Sequence, residues 1–340
     1  GWPRWASALA VTVLWVGVPS SAVEAAVPPA AHVVLNSSVD PTGLYFVSYD
    51  GLVNSESFQQ SGILSHGRYQ YAAWYTADRN AVVARRQLPA GSWQRVDLTH
   101  ALSTNDSHNV ISLGISPADG RLHIAMDTHN SQVFYLKSVA GLVASPEAAA
   151  WSAADFGPVQ RSLDGVALGN ITYPQFIISP QGRLQLSYRT GGSGNGVNNL
   201  AEYDGGHWEI LGAWTSATGS FQANGVTSTT RNMYLHGLTY DGERLHATFT
   251  WREGNTGVLC HSGGLTNHDT GYVYSEDQGR TWRNGAGAVV GTTSGGTKVG
   301  VTSPGLVVDA LSVDHGLMNQ ESQAVDSAGL IHAVISYVPG

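Results

Sequence analysis

Residues 119–127 read DGRLHIAMD, a turn followed by a strand rich in apolar residues. The same order of turn, glycine, polar residue and apolar strand recurs at four further places: HGRYQYAAWY (66–75), QGRLQLSYR (181–189), DGERLHATFTW (241–251) and AGLIHAVISY (328–337). Strand pairs repeated at such intervals are typical of four-stranded blades arranged in a ring. The pattern predicts an all-β chain with the architecture of a β-propeller.

A turn motif supports this architecture. SEDQGRTW (275–282) matches the pattern S-x-D-x-G-x-T-W, the Asp box that joins outer strands of propeller blades. We expect Ser275 and Asp277 to cap the turn and Trp282 to pack inside it. The motif is structural and therefore indicates no function.

Composition limits the function. The 340 residues carry a net charge of −8, with 12% charged residues, 41 glycines and one cysteine. Many short strands and tight turns suit this composition better than charged helices do. No run of Lys or Arg offers the basic face that a nucleic acid requires, so a nucleic-acid partner is excluded. A single cysteine excludes an internal disulfide within this chain. We also expect the protein to be a monomer.

The N-terminal 25 residues have the pattern of a secretory signal peptide. Arg4 precedes an apolar run over residues 6–18, and Val23-Glu24-Ala25 offers a small-residue cleavage site. The run is shorter than the ~20 residues of a membrane span, which disfavours the alternative of an anchor. We expect a secreted or periplasmic protein, off the membrane after cleavage. A single propeller domain would then cover residues 26–340, truncated at its C-terminal end because the chain stops inside a predicted strand.

Two predicted hairpins place polar side chains at one end of the sheets. ISLGIS and RLHIAM flank the turn at 117–120, and counting outward sets His108 opposite His129. PQFIIS and RLQLSY flank the turn at 180–182, and the same counting sets Tyr173 opposite Arg189. A β-bulge would shift either register by one residue. All four side chains lie a full strand length from their turns and therefore lie at the same end of the propeller, which we call the mouth.

The later repeats contribute further polar groups to this mouth. Counting about Gly242 places Asn232 and Tyr234 near Arg252, and the last repeat adds Asn319. Polar groups that converge from several blades are expected of a ligand site on a rigid scaffold. We take these four residues as candidates for substrate binding.

The residue types at the mouth favour β-elimination from a uronate. Removing a proton alpha to a carboxylate requires a cation near that carboxylate and a base with a pKa near neutrality. Arg189 is suited to bind the carboxylate, while His108, His129 and Tyr173 are suited to act as base and acid. This chemistry requires no cofactor. Hydrolysis of a glycoside normally uses two carboxyl groups about 5–9.5 Å apart, and no acidic pair falls into the mouth.

These segments together resemble the BNR-4 repeat family, which includes ulvan lyases and rhamnose–glucuronate lyases. The resemblance rests on five segments between residues 55 and 337: HNVISLGISPADGRLHIAMDTHN, NITYPQFIISPQGRLQLSYRTGGSGNG, RNMYLHGLTYDGERLHATFTWRE, TNHDTGYVYSEDQGRTWRN and LMNQESQAVDSAGLIHAVISY. It implies seven blades in the full-length protein and an acidic polysaccharide as substrate. It also implies a site formed by a His pair, a Tyr and an Arg, carried here by His108, His129, Tyr173 and Arg189, with Tyr234 as a less direct match.

Some of these assignments have structural alternatives. His123, His246 and His332 occupy one equivalent place in three repeats and are predicted to belong to the framework. Arg189 is alternatively a structural partner of a carboxylate such as Glu253. The glycine-rich segment 191–196 that follows Arg189 favours the functional interpretation, since backbone there can approach a sugar closely.

A metal site is a separate expectation. Cys260, His261 and His268 combine thiolate and imidazole, which are good zinc ligands. The spacing supplies no fourth ligand, and a buried apolar role is the alternative for Cys260. Calcium would require several oxygen ligands, which the sequence does not locate.

Three functions therefore stand after the sequence alone. The first is a polyuronate lyase, which uses the proton chemistry described above. The second is a propeller that binds acidic glycans without cleaving them, and the third is a sialidase-like glycoside hydrolase. A sialidase would require an arginine triad, for which Arg189 and Arg252 are the candidates.

Overall fold

The computed structural model describes residues 32–33, 35–46, 61–259 and 266–339. Contacts between residues divide the chain into the units Gly1–Ser37 and Ser38–Gly340, and the strands of the described residues lie in the second. The predicted signal peptide falls outside the described residues. Within them no helix is long and apolar enough to cross a bilayer.

The described residues form antiparallel β-sheets joined by tight turns, as the sequence predicts. The first sheet has four strands in chain order: β1 (Ile63–His66), β2 (Tyr69–Tyr75), β3 (Asn80–Gln87) and β4 (Gln94–Ala101). The second sheet contains β5 (Ser112–Ser116), β6 (Arg121–Met126) and β8 (Phe134–Lys137). The short strand between β6 and β8, β7 (His129–Ser131), pairs instead with the third sheet.

The third sheet continues from β7 through four strands: β9 (Ile171–Ile178), β10 (Leu184–Gly192), β11 (Asn195–Tyr203) and β12 (Trp208–Ala213). The fourth sheet is larger and contains β13 (Thr218–Ala223), β14 (Val226–Asp241), β15 (Arg244–Glu253), β16 (Asn267–Ser275), β17 (Thr281–Arg283), β18 (Val289–Thr292) and β19 (Val307–Asp309). A last hairpin consists of β20 (Ser322–Val325) and β21 (Ile331–Val334). Short 3-10 turns occupy Pro146–Ala148, Ala153–Asp155, Thr256–Val258 and Val313–His315.

Successive sheets pack face to face like propeller blades. Their inner strands follow one another, since β5 contacts β9, β9 contacts β14 and β14 contacts β20. Three buried apolar clusters fill the spaces between neighbouring sheets, around Leu113, Leu186 and Phe249. Gly114 allows the second and third sheets to approach, because a Cβ there would lie 2.5 Å from the Phe176 ring. The all-β propeller prediction is confirmed, whereas the count of seven blades stays a prediction for the full-length protein.

The Asp box has the geometry that its sequence predicts. Ser275 Oγ accepts the Gly279 N–H at 2.8 Å, and Asp277 Oδ1 accepts the Thr281 N–H at 2.7 Å. Trp282 is fully buried and stacks on Trp214 with ring centroids 3.9 Å apart. The motif therefore fixes the link between β16 and β17, as expected of a structural element.

Candidate active site

The two predicted histidines meet on a shared carboxylate. His108 Nδ1 lies 2.5 Å from Asp106 Oδ1, and His129 Nδ1 lies 2.8 Å from Asp106 Oδ2. The two imidazole rings stack, with centroids 4.0 Å apart and planes 14° apart. Because a carboxylate accepts hydrogen bonds, each Nδ1 carries the hydrogen of its contact with Asp106.

The pair forms by a different route from the one predicted. The β5–β6 ladder ends at Ser112 and Ala125, so His108 and His129 are not cross-strand partners. His129 instead begins β7 and pairs with Thr172 of β9. The proximity is as predicted, but the join between two sheets creates it.

Burial and charge set the protonation of this group. Burial lowers the pKa of His108 and the Asp106 hydrogen bond raises it; burial prevails, helped by His129 and Arg189, and the pKa lies below its ordinary value. Burial raises the pKa of Asp106, but the backbone N–H and ring of His108 and the ring of His129 outweigh it and hold the pKa below its ordinary value. At neutral pH the group therefore contains an ionised carboxylate and a neutral His108.

Tyr173 lies between the histidine pair and Arg189. Its ring centroid is 5.8 Å from that of His108 and 4.8 Å from Arg189 Cζ. Arg189 pairs with Thr172 rather than Tyr173, because a bulge shifts the β9–β10 register by one residue. The cause is visible in the sequence: Pro174 has no N–H to give to the ladder, and proline within a sheet is confined to edges and bulges. Tyr173 takes a φ of 58° at this bulge.

Arg189 is a buried cation without a carboxylate partner among the described residues. Only 4% of its surface is exposed, and its Nε makes no hydrogen bond. Its Nη1 donates to Tyr234 Oη at 3.3 Å. The alternative partner Glu253 is engaged elsewhere, since Arg231 and His268 bind its carboxylate. The interpretation of Arg189 as the structural partner of Glu253 is therefore wrong.

Tyr234 completes an aromatic frame around this guanidinium. Its hydroxyl also donates to Ser193 Oγ at 3.4 Å. Burial raises the pKa of Tyr234, but the charge of Arg189, the Ser193 hydrogen bond and the charge of Arg252 outweigh burial and lower the pKa below its ordinary value. Burial alone raises the pKa of Tyr188 to about 12. The positive charges next to Tyr234 thus make its phenol easier to ionise.

The candidates for substrate binding reach the same mouth. Asn232 and Arg252 are register partners in β14 and β15, as counting from the sequence predicts. Asn232 Oδ1 accepts the Gly194 N–H at 2.5 Å. Asn319 Oδ1 accepts hydrogen bonds from Arg252 Nη1 at 3.1 Å and from Asn267 Nδ2 at 3.0 Å.

A cavity lies beside these residues. Tyr173, Arg189 and Tyr234 supply its polar aromatic wall, and Gln320 adds a buried amide oxygen that has no partner. The remaining wall is formed by neighbouring inner strands and includes Val110, Pro174, Gln175, Ser187, Tyr188, Asn198, Met233 and Leu235. The mouth therefore offers a recess next to the buried cation.

The glycine-rich segment has a partly different role from the one expected. A Cβ at Gly194 would lie 2.6 Å from Gly254 Cα, and one at Gly196 would lie 2.8 Å from the Thr190 carbonyl oxygen. Packing between chain segments requires these two glycines. Gly192 alone of the four glycines in this segment faces open space, with nothing within 4 Å of a Cβ position.

The framework histidines are separate from the mouth. His123 Nδ1 and His246 Nδ1 each lie 2.7 Å from a tyrosine hydroxyl of the next strand in their sheet, Tyr135 and Tyr272. Burial lowers the pKa of His123 to about 3. His332, the third histidine of this repeated position, is exposed instead and lies 2.9 Å from Asp326 Oδ2.

The structure describes only one of the three residues of the predicted metal site. Cys260 and His261 lie outside the described residues. His268 is 1% exposed, and its two ring nitrogens lie 2.9 Å from Asp269 Oδ2 and from Glu253 Oε1. The zinc or calcium site therefore stays a prediction.

A different set of ligand-type atoms does converge, on Asp106, His108 and His129, all within 4.8 Å of one another. Their nitrogens donate to the carboxylate, so the cluster is hydrogen-bonded as it stands. Asp106 was missed by the sequence analysis. An acidic residue two positions before His108 was the available signal, because its Oδ1 also accepts the His108 backbone N–H at 3.0 Å.

Comparison with known proteins places the chain in a family. The sequence profile described as a BNR repeat-containing family member matches residues 69–340. The chain belongs to the BNR repeat-containing family. Two curated relatives are named "Ulvan lyase, long isoform". The one from Alteromonas sp. is 24% identical over 269 residues, covering 66% of this chain and 26% of that protein. The one from Pseudoalteromonas sp. (strain PLSV) is 24% identical over 180 residues, covering 42% and 18%.

Two solved structures share the fold. The polysaccharide lyase Uly1 aligns with a TM-score of 0.60 and 19% identity over 74% of this chain and 59% of that chain. A PL25 ulvan lyase bound to -[GlcA(1-4)Rha3S]- aligns with a TM-score of 0.60 and 13% identity over 82% of this chain and 64% of that chain. This BNR-family chain thus spans at most about a quarter of the curated relatives that it matches.

Proposed function

We propose that this BNR-family protein is a polysaccharide lyase that cleaves a uronate-containing polysaccharide by β-elimination. One observation supports the proposal above all others: Arg189 is a buried guanidinium with no described carboxylate partner, and it lies next to Tyr173 and the His108–His129 pair. A buried unpaired cation is costly unless a ligand supplies the opposite charge. The names of the curated relatives support ulvan as the substrate.

The role of Arg189 is to bind the uronate carboxylate. The free Nε and the fixed guanidinium plane allow a charge-assisted contact, and the aromatic faces of Tyr173 and Tyr234 hold that plane in place. When the alpha proton leaves, negative charge spreads onto the carboxylate. A cation already positioned there stabilises this charge without reorganisation.

His108 is assigned as the base. Its lowered pKa keeps the ring neutral, and Asp106 fixes hydrogen on Nδ1, so the lone pair that takes the proton is that of Nε2. The C5–H bond breaks, its electron pair forms the C4=C5 double bond, and the C4–O4 bond breaks. Tyr173 is assigned as the acid that protonates the departing oxygen. The products are an unsaturated uronate at one new end and a free hydroxyl at the other.

The alternative functions have less support at this mouth. Both oxygens of Asp106, the carboxylate at the histidine pair, accept histidine N–H groups, so this carboxylate is not placed to act as one of the two catalytic carboxyl groups of a glycosidase. Arg231 would be the third cation of a sialidase-like triad. It is fully buried against Glu253 instead.

The test is to incubate the protein with ulvan and follow the ultraviolet absorbance of the conjugated uronate. Tyr173→Phe and Arg189→Ala are each expected to lower the rate by roughly 10²-fold or more. Tyr272→Phe is the matched control, because it removes a tyrosine hydroxyl from the framework pair with His246 and should leave the rate near that of the native protein.

Two outcomes would refute the lyase. Binding of ulvan that depends on Arg189 with no rise in absorbance would show a glycan-binding propeller. New reducing ends without absorbance would show a hydrolase.

We further propose that the protein acts outside the cytoplasm, as the predicted signal peptide requires.

A further inference from the structure

A second arginine lies at the mouth with partners that are all neutral. Arg252 is the register partner of Asn232 in β14 and of Asn267 in β16. Opposed residues of neighbouring strands share a face of the sheet, so these three side chains form a row across the blade. Asn319, from the segment before β20, reaches this row and accepts a hydrogen bond from Arg252 Nη1.

The opposite face of the same strands provides a contrast. There Arg231 and Glu253 pair at 2.8 Å with both side chains fully buried, and His268 adds a second contact to that carboxylate. The charge of Arg231 is thus compensated within the fold. No carboxylate of the described residues lies within ion-pair distance of Arg252. Its charge instead helps Arg189 and the Ser193 hydrogen bond to lower the pKa of Tyr234 against the effect of burial.

Two amide groups flank Arg252, and both are held through their oxygens. Asn232 Oδ1 accepts the Gly194 N–H, and its buried Nδ2, which meets no acceptor at full hydrogen-bond geometry, lies close enough to Tyr234 for the amide to lower the pKa of that phenol. Asn319 uses its Oδ1 to accept from both Arg252 and Asn267, which fixes the amide and turns its Nδ2 away from them. A buried donor without a well-formed hydrogen bond is unfavourable, so the Asn232 amide favours an acceptor that the ligand brings.

We propose that Arg252, with the amides of Asn232 and Asn319, binds a second anionic group of the polysaccharide. This inference rests on the proposed function and extends it to the substrate class: a chain with two negative groups close together. Arg189 binds the carboxylate of the reacting uronate. Arg252 binds either a sulfate ester on a neighbouring sugar or the carboxylate of a further uronate, since both present oxygen acceptors to a guanidinium.

The experiment measures binding of three polymers by calorimetry: ulvan, chemically desulfated ulvan and carboxyl-reduced ulvan. Tyr173→Phe is the background, so that the polymer is not consumed. Adding Arg252→Gln is expected to weaken the binding of ulvan roughly tenfold or more. Arg244→Gln is the matched control, because Arg244 lies at the far end of the same strand in an exposed pair with Glu276.

The polymers identify the source of the anion. If the effect of Arg252→Gln is lost on desulfated ulvan, the group is a sulfate; if it is lost on carboxyl-reduced ulvan, the group is a second carboxylate. Arg252→Lys, which keeps the charge, is expected to restore part of the affinity. An equal loss on all three polymers, or no loss on ulvan, would overturn the inference. Arg252-dependent binding without absorbance from the native protein would refute the lyase and leave the anion site standing.

Discussion

His108 and His129 stack face to face at 4.0 Å while both donate to Asp106. Two imidazolium ions at this distance repel each other, so the second proton binds less readily than the first. The pair together with its carboxylate is therefore best treated as one titrating unit. We expect this unit to set how the reaction rate changes at low pH.

The acid limb of the pH–rate profile should reflect this unit. The rate is expected to fall as pH drops through the pKa of His108, which lies below its ordinary value of 6.5. Asp106 raises that pKa, so Asp106→Asn should move the limb to lower pH and lower the rate by roughly 10²-fold, because the imidazoles lose their orientation. Steady-state rates across pH measure both effects.

A surface pair provides the control for Asp106→Asn. Asp326 binds His332 at 2.9 Å with both side chains exposed, and Asp326→Asn should change neither the limb nor the rate. If Asp106→Asn lowers the rate but leaves the limb in place, His108 is not the titrating base.

The alkaline limb should depend on Tyr234. Its pKa lies below the ordinary value of 10.0, so the phenol ionises early and its charge then competes with the uronate for Arg189. KM is expected to rise on the alkaline side in the native protein, and Tyr234→Phe should remove that rise. Tyr240→Phe, near the other end of the same strand, should keep it. An unchanged alkaline limb in Tyr234→Phe would exclude this competition.

The buried pair of Arg231 and Glu253 should dominate the stability of the fourth sheet. Glu253→Gln leaves Arg231 charged and buried, at an expected cost of about 3 kcal/mol in the free energy of unfolding. Replacing both, Arg231→Met with Glu253→Leu, should cost much less. Urea unfolding of the three proteins checks this, and equal losses in the single and double variants would argue against a charge effect.

The same cluster should make stability depend on pH. Burial lowers the pKa of His268, but Asp269 and Glu253 outweigh burial and raise it above 6.5. The folded protein thus binds this proton more tightly than the unfolded chain does. The contribution to stability is complete below the unfolded pKa and is lost as pH rises through the folded pKa.

Melting temperatures measured from about pH 6 to about pH 8 should therefore fall, and His268→Gln should reduce the slope. The variant and the native protein must be compared in one buffer series. A slope that survives His268→Gln would assign the dependence to another group.

Much of this arrangement was predictable, because repeated turn–strand patterns depend on local chemistry. The turn at Gly182, the Asp box around Trp282 and the register of Asn232 with Arg252 all follow from nearby residues. Contacts between blades were harder to predict from the sequence. The pairing of His129 with Thr172 and the engagement of Glu253 by His268 depend on how sheets meet, which strand periodicity does not encode.

The left-handed backbone of Tyr173 should make selection for stability and selection for activity favour different residues at this position. A φ of 58° is unfavourable for an aromatic residue and suits Asn or Gly. A library at this position sorted for resistance to heat should therefore enrich such residues, whereas one sorted for turnover should retain tyrosine. The divergence of the two populations would reveal, without any substrate analogue, how much conformational strain the site retains for its chemistry.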